Sequence, residues 1–148
     1  MSHDGQFAMN WDCQRQGCFN QKKRLKFAAL KESLPGRISF SDVDGIVEIK
    51  GNLLLLEWKD HRNLCTGQRI LFERMTRFCP ATVLIVEGDA EFMAVDSIAI
   101  VWKGQIGPSR PADRSCLLEM IRDWADWATE NPVLHRQRQY GGNNDQHE

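Results

Sequence analysis

The residues best suited to chemistry lie between positions 42 and 59. Asp42-Val43-Asp44-Gly45 leads into a short apolar run, and a second run, Leu53 to Leu56, closes on Glu57-Trp58-Lys59. Two carboxylates and a lysine at one strand end form the set that metal-assisted phosphodiester cleavage needs. Mg²⁺ takes oxygen ligands, often one or two carboxylates completed by substrate phosphate and water. Such an ion neutralises charge on the scissile phosphate and makes its bound water more acidic. A lysine beside it can position that water and stabilise the anionic transition state.

These side chains meet only if residues 38 to 59 form a β-hairpin. Val47, Ile49 and the four leucines suit packed strands, and Gly51-Asn52 suits a two-residue turn, since Gly tolerates the positive φ required there. That turn pairs Lys50 with Leu53, Glu48 with Leu55, Ile46 with Glu57 and Asp44 with Lys59. Directly opposed side chains share a face and lie roughly 5 Å apart. Asp44, Glu57 and Lys59 then converge on one face, while Val43, Val47, Ile49, Leu54, Leu56 and Trp58 form an apolar face for a core. A slip of one residue would separate Asp44 from Glu57. Asp42 shares the face of Asp44 but lies one step further out, near His61. At a strand end, Glu57 and Lys59 are expected not to support the core. The plain alternative is a charged, solvent-facing side with an ordinary cross-strand ion pair.

This constellation resembles the PD-(D/E)xK nuclease superfamily, the restriction-endonuclease-like fold, and within it small phage and prophage nucleases. There an Asp on one strand precedes a Glu-x-Lys or Asp-x-Lys on the next, matched here by Asp44 and by Glu57-Trp58-Lys59. The proline that often precedes the family's Asp is replaced by Val43. The resemblance runs over about residues 20 to 103 by order of elements. It implies metal ligation by Asp44, Glu57 and the main-chain carbonyl of Trp58, with Glu32 as a further ligand from the preceding helix. It also implies a catalytic role for Gln68 on the helix that follows. The expected cofactor is Mg²⁺, with Mn²⁺ as a substitute.

Asn20 can cap a helix to Ser33, with Leu25, Ala28, Ala29 and Leu30 as a partial apolar face. Lys22, Lys23, Arg24 and Lys26 on it form the strongest basic cluster, suited to phosphate contact or to simple solvation. Pro35-Gly36 breaks that helix. Residues 67 to 78 predict a second helix with Ile70, Leu71, Met75 and Phe78 inward. Gln68, Arg69, Arg74 and Arg77 make it locally basic, and Arg69 joins the candidate nucleic-acid contacts. Residues 81 to 86 read as a buried strand, 87 to 96 as an acidic loop or irregular edge, and 97 to 103 as another strand. Ala112 to Glu130 reads as an amphipathic helix with Leu117, Met120, Ile121, Trp124 and Ala128 at helical spacing.

The order helix, hairpin, helix, strand, strand, helix predicts an α/β three-layer sandwich: a central mixed sheet flanked by helices. One domain over 1–130 and a polar tail over 131–148, with 141–148 disordered, accommodate the 148 residues. The net charge of −1 excludes a globally basic nucleic-acid binder and requires any basic surface to be local. Five cysteines, odd in number and irregular in spacing, point to free thiols in a reducing cytoplasm. No apolar run is long enough for a membrane span, and Met1 to Asn10 lacks the apolar core of an export signal.

The expectation is a Mg²⁺-dependent hydrolase of DNA phosphodiester bonds, for which a homodimer could add contacts. Two alternatives are a catalytically silent nucleic-acid- or protein-binding module, and a zinc-stabilised interaction protein using Cys13, Cys18, His61 and Cys65.

Overall fold

The computed structural model describes residues 27–60 and 63–133, without the Glu32 side chain. The chain divides into two compact units, Met1–Ser41 and Asp42–Glu148. In the first, Phe27–Ser33 is a 3-10 helix, and the Phe27 ring stacks on Phe40 at 6.0 Å with 16° between planes. The α-helix expected up to Ser33 is not formed over this stretch, and Ala28, Ala29 and Leu30 are exposed. Pro35-Gly36 follows directly, and short stretches of this kind commonly adopt the tighter 3-10 form. Lys22, Lys23, Arg24 and Lys26 lie outside the described residues, as do positions 134–148.

The second unit runs β1 (Gly45–Ile49), β2 (Asn52–Lys59), α1 (Thr66–Phe78), β3 (Ala81–Asp89), β4 (Ala94–Trp102), β5 (Gln105–Ile106), β6 (Arg110–Pro111) and α2 (Arg114–Glu130). The sheet order is β1-β2-β3-β4-β5, with β6 also pairing β4. Only β2 and β3 are parallel, joined through α1; the other pairs are antiparallel. This is the mixed sheet expected from the order of elements. Buried on both faces, β2 and β3 read as nearly unbroken apolar runs. Among the described residues, no helix is long and apolar enough to cross a membrane.

Strand alternation divides the core in two. On one face Leu55, Ala81, Val83, Ile85, Ala99 and Val101 surround Phe72 of α1. On the other, Leu54, Leu84, Val86 and Ile98 pack with Leu117, Met120, Ile121 and Trp124 of α2. The spacing read for α2 is borne out. For α1 the phase differs by one position. Phe72 is 1% exposed, whereas Ile70 and Phe78 are 39% and 77% exposed. The inward stripe is Gln68, Leu71, Phe72, Met75 and Thr76, the i, i+3, i+4 pattern of one helix face. Gln68 is therefore on the side turned to the sheet. Thr76 locks this phase: its hydroxyl donates to the Phe72 carbonyl at 2.9 Å and accepts the Gly104 N–H at 3.0 Å.

The hairpin turn is Lys50-Gly51, not Gly51-Asn52. Both residues have positive φ, 49° and 87°, as a two-residue hairpin turn of matching twist requires. Asn52 is kept out of the turn by its own side chain, which is buried and donates to the Asn131 carbonyl at 2.8 Å. It satisfies an acceptor that the end of α2 leaves open. Around it, Lys50 Nζ donates to the Thr129 carbonyl at 3.0 Å, and the Val133 N–H donates to the Lys50 carbonyl at 2.9 Å. The register accordingly pairs Ile46 with Leu55 and Glu48 with Leu53, two residues from the expected pairing. A shift of two keeps every side chain on its expected face. Val47 nevertheless remains 45% exposed, because β1 is an edge strand, and Val43, which precedes β1, is 38% exposed.

The acidic stretch 87–96, expected as a loop or irregular edge, is mostly strand. β3 continues to Asp89 and β4 begins at Ala94, with a turn only over 90–93 and a register shift between Glu87 and Gly88 that makes the ladder irregular there. Gly88 has φ 154°, and a Cβ there would collide with the Ala94 carbonyl, so the bulge needs glycine.

Gly51→Ala should destabilise the fold by about 1–2 kcal/mol from the positive φ alone. A Cβ at this position would also lie 2.8 Å from that of Val133. Denaturant unfolding of the variant measures the loss; unchanged stability would refute the turn assignment. Asp113 caps α2 by accepting the Cys116 N–H at 2.9 Å. That hydrogen bond holds its carboxyl below the ordinary aspartate range. Its contribution is full above the unfolded-state value and is lost as pH falls through the lower folded-state value. Asp113→Asn should remove this acid-side slope of the melting temperature, as thermal melts taken down the acid range would register.

Candidate functional site

Glu57 stands in line with Leu53 and Leu55 on β2, facing α1. Its parallel partner is Ile85, and it is 5% exposed. It is thus part of the core face, contrary to the expectation that a side chain at this strand end would not support the core. A carboxylate so placed must be bonded. Lys59 Nζ lies 2.6 Å from Glu57 Oε1. Gln68 Nε2 donates to the same oxygen at 2.7 Å, and Lys59 Nζ donates to Gln68 Oε1 at 2.8 Å. The three side chains close a triangle. Lys59 arrives by strand alternation, and Gln68 by its place on the inward stripe of α1. Cys65, just before α1, lies with Sγ 3.7 Å from Gln68 Oε1.

Asp44 precedes β1. One step beyond the last ladder pair, Gly45 with Leu56, it falls opposite Glu57 rather than Lys59. Its Oδ2 accepts the Trp58 N–H at 2.6 Å. Trp58 points the other way, toward α2, and its Nε1 donates to the Gly88 carbonyl at 2.8 Å. With Trp58 fixed there, Glu57 and Lys59 must face α1.

The structure thus brings together Asp44, Glu57, Lys59 and Gln68. Arg69 is exposed and lines a neighbouring cavity. The Glu32 side chain lies outside the described residues, as do Cys13, Cys18 and His61 of the zinc alternative; Cys65 is a free, exposed thiol. Glu87, expected in a loop or irregular edge, is a strand residue that was not among the expected site residues. Paired with Lys59 in the ladder, it shares the face of Glu57. Extending the alternation Val83, Ile85 by one step would have found it.

Among the described residues, no three His, Cys, Asp or Glu side chains form a metal-holding group. The donors at the patch are oxygens. Lys59, Gln68 and the Trp58 amide meet the acidic pair at one oxygen of each carboxylate, Glu57 Oε1 and Asp44 Oδ2. Two carboxylates with water and phosphate fit Mg²⁺, and they do not fit a closed structural zinc site.

Lys59→Met should destabilise the protein by about 1–3 kcal/mol, because it leaves a buried carboxylate short of its cationic partner. Glu57→Gln should cost less, since Gln68 keeps a partner and Lys59 can extend to water. Urea unfolding of both variants tests the order, and a reversed order would show that Glu57 is not the buried member. No protein-family model, curated protein or solved structure matches this chain.

Proposed function

We propose that the protein is a metal-dependent nuclease hydrolysing DNA phosphodiester bonds, on a restriction-endonuclease-like core. The observation that carries this reading is the closed Glu57–Lys59–Gln68 triangle, with Asp44 at the neighbouring backbone, where parallel strand β2 ends. Open α/β sheets bind ligands outside the carboxyl ends of their strands. The sequence of hairpin, helix and parallel strand in β1-β2-α1-β3 accords with the family's core.

Asp44, Glu57 and the Trp58 carbonyl are the groups that would hold Mg²⁺ or Mn²⁺. When bound, such an ion neutralises phosphate charge and acidifies water. The rest of the task falls to the chain. Lys59, held at 2.6 Å from Glu57, would hydrogen-bond the attacking water and stabilise the negative charge that develops on the phosphoryl oxygens. Gln68 keeps both partners in place through its two amide atoms and can hand a hydrogen bond to phosphate. The acidic pair repels phosphate unless a cation intervenes, so DNA engagement should itself depend on metal.

Lys59→Met should lower the cleavage rate by about 10² to 10³ while metal still binds, since loss of one electrostatic stabiliser has that effect. Glu57→Gln should abolish cleavage and weaken metal binding. Labelled DNAs incubated with Mg²⁺, Mn²⁺ or EDTA, together with calorimetric metal titration, measure these outcomes. Wild-type rates in both variants, or robust cleavage in EDTA by pure protein, would overturn the proposal.

A further inference from the structure

The face that carries Glu57 and Lys59 continues past β2. Glu87 is the ladder partner of Lys59, and Ser97 is the partner of Glu87. Beyond them the sheet, the start of α1 and the segment after β5 enclose an open cavity of about 400 Å³. Its apolar wall includes Leu64, Ile85 and Ile106, and its polar wall includes Arg69, Glu87 and Ser109. Ser109 Oγ donates to Ser97 Oγ at 2.9 Å, and Ser97 Oγ donates to Glu87 Oε2 at 2.9 Å. This relay fixes the Glu87 carboxylate at the cavity wall. No ion pair engages Arg69 among the described residues. One cavity therefore presents a fixed acceptor, an uncommitted cation and an aliphatic surface, directly beside Lys59.

We propose that this cavity receives one unstacked nucleotide adjoining the phosphate handled by the Glu57–Lys59 patch. The preferred DNA would then have an unpaired nucleotide there (a single-stranded end, a flap or an open junction) rather than continuous duplex. The proposal rests on the nuclease reading. The cavity volume lies in the range that takes a small ligand. A base stacked within a duplex cannot enter a concave site and must leave the stack. Once out, its flat face can lie on the aliphatic wall, and its edge can be read by hydrogen bonds. The charges set the orientation. Glu87 repels phosphate and accepts N–H donors, whereas Arg69 attracts phosphate, so the base edge points to Glu87 and the backbone to Arg69. A carboxylate best matches guanine, whose ring N–H and amino group point the same way. It matches thymine worst, because carbonyl oxygens flank the only ring donor.

The test uses the full chain and the variants Glu87→Gln and Ser109→Trp; the second fills the exposed mouth of the cavity. Deoxyguanosine monophosphate and thymidine monophosphate are titrated with NMR detection. Flap, single-stranded and blunt duplex DNAs are then compared in Mg²⁺. The guanine nucleotide should bind about tenfold or more tightly than the thymine one, the size of a hydrogen bond to a charged group. Both variants should lose that margin, and Ser109→Trp should erase the preference for unpaired DNA. Metal-dependent cleavage that is equal on duplex and flap and is unchanged in both variants would overturn the cavity assignment and leave the nuclease reading standing. Variant-sensitive guanine-nucleotide binding without cleavage of any DNA would support the cavity as a nucleotide site and sink the nuclease reading instead.

Discussion

A carboxylate sits where the alternation of β2 calls for a leucine. Glu57 continues the row of Leu53 and Leu55 and lies against Ile85 under α1. Burying such a group without partners would cost several kcal/mol. The local structure therefore has to deliver a cation and a hydrogen-bond donor to one oxygen. Lys59 and Gln68 do so only if β2 stays regular to its end and α1 holds one rotational phase. Phe72 in the core and Thr76 bonded to the Gly104 amide fix that phase. The contacts that stabilise the α1 face are thus the contacts that aim Gln68. Core packing and site geometry form one constraint here, which makes the patch preorganised.

The opposite face imposes the complementary condition. Trp58 is tied to the Gly88 carbonyl, at a bulge where no side chain fits. Bulges near functional sites redirect strands without ending them. This one lets β3 carry Glu87 on the α1 side before the ladder shifts. As a result β2, β3 and β4 each pass from apolar to polar residues at the same level, through Glu57 and Lys59, Glu87 and Ser97. The polar level lies at the carboxyl ends of the one parallel pair, where a ligand site is expected.

Much of this was legible in the sequence for identifiable reasons. Long apolar runs gave the parallel pair β2 and β3, and helical spacing gave α2. Alternation put Glu57 and Asp44 on one face whichever even register was chosen. What stayed hidden depended on distant partners. The turn moved to Lys50-Gly51 because Asn52 is claimed by the end of α2, some eighty residues away in sequence. Of the inward residues expected on α1, Leu71 and Met75 pack on the core; Ile70 and Phe78 do not, because the hydroxyl of Thr76 can be buried in their place where Gly104 meets it. Glu87 was hidden by acidic composition, which resembled a loop until β4 supplied Ser97 as its partner.

The register correction changes the character of the acidic pair without moving it to another face. Opposite Lys59, Asp44 would have been a second member of an ion-paired cluster. Opposite Glu57, it is instead exposed just before the edge strand and accepts a hydrogen bond from the Trp58 amide. The two carboxylates are therefore unequal. Glu57 is immobilised by two side chains inside the core face, and Asp44 is oriented by one backbone donor at the rim. Under the proposed metal-dependent reading, this asymmetry would suit a site that exchanges its contents. The buried carboxylate would supply a rigid reference point and the exposed one could adjust, as a cation with strict octahedral demands would need when water and phosphate replace each other around it.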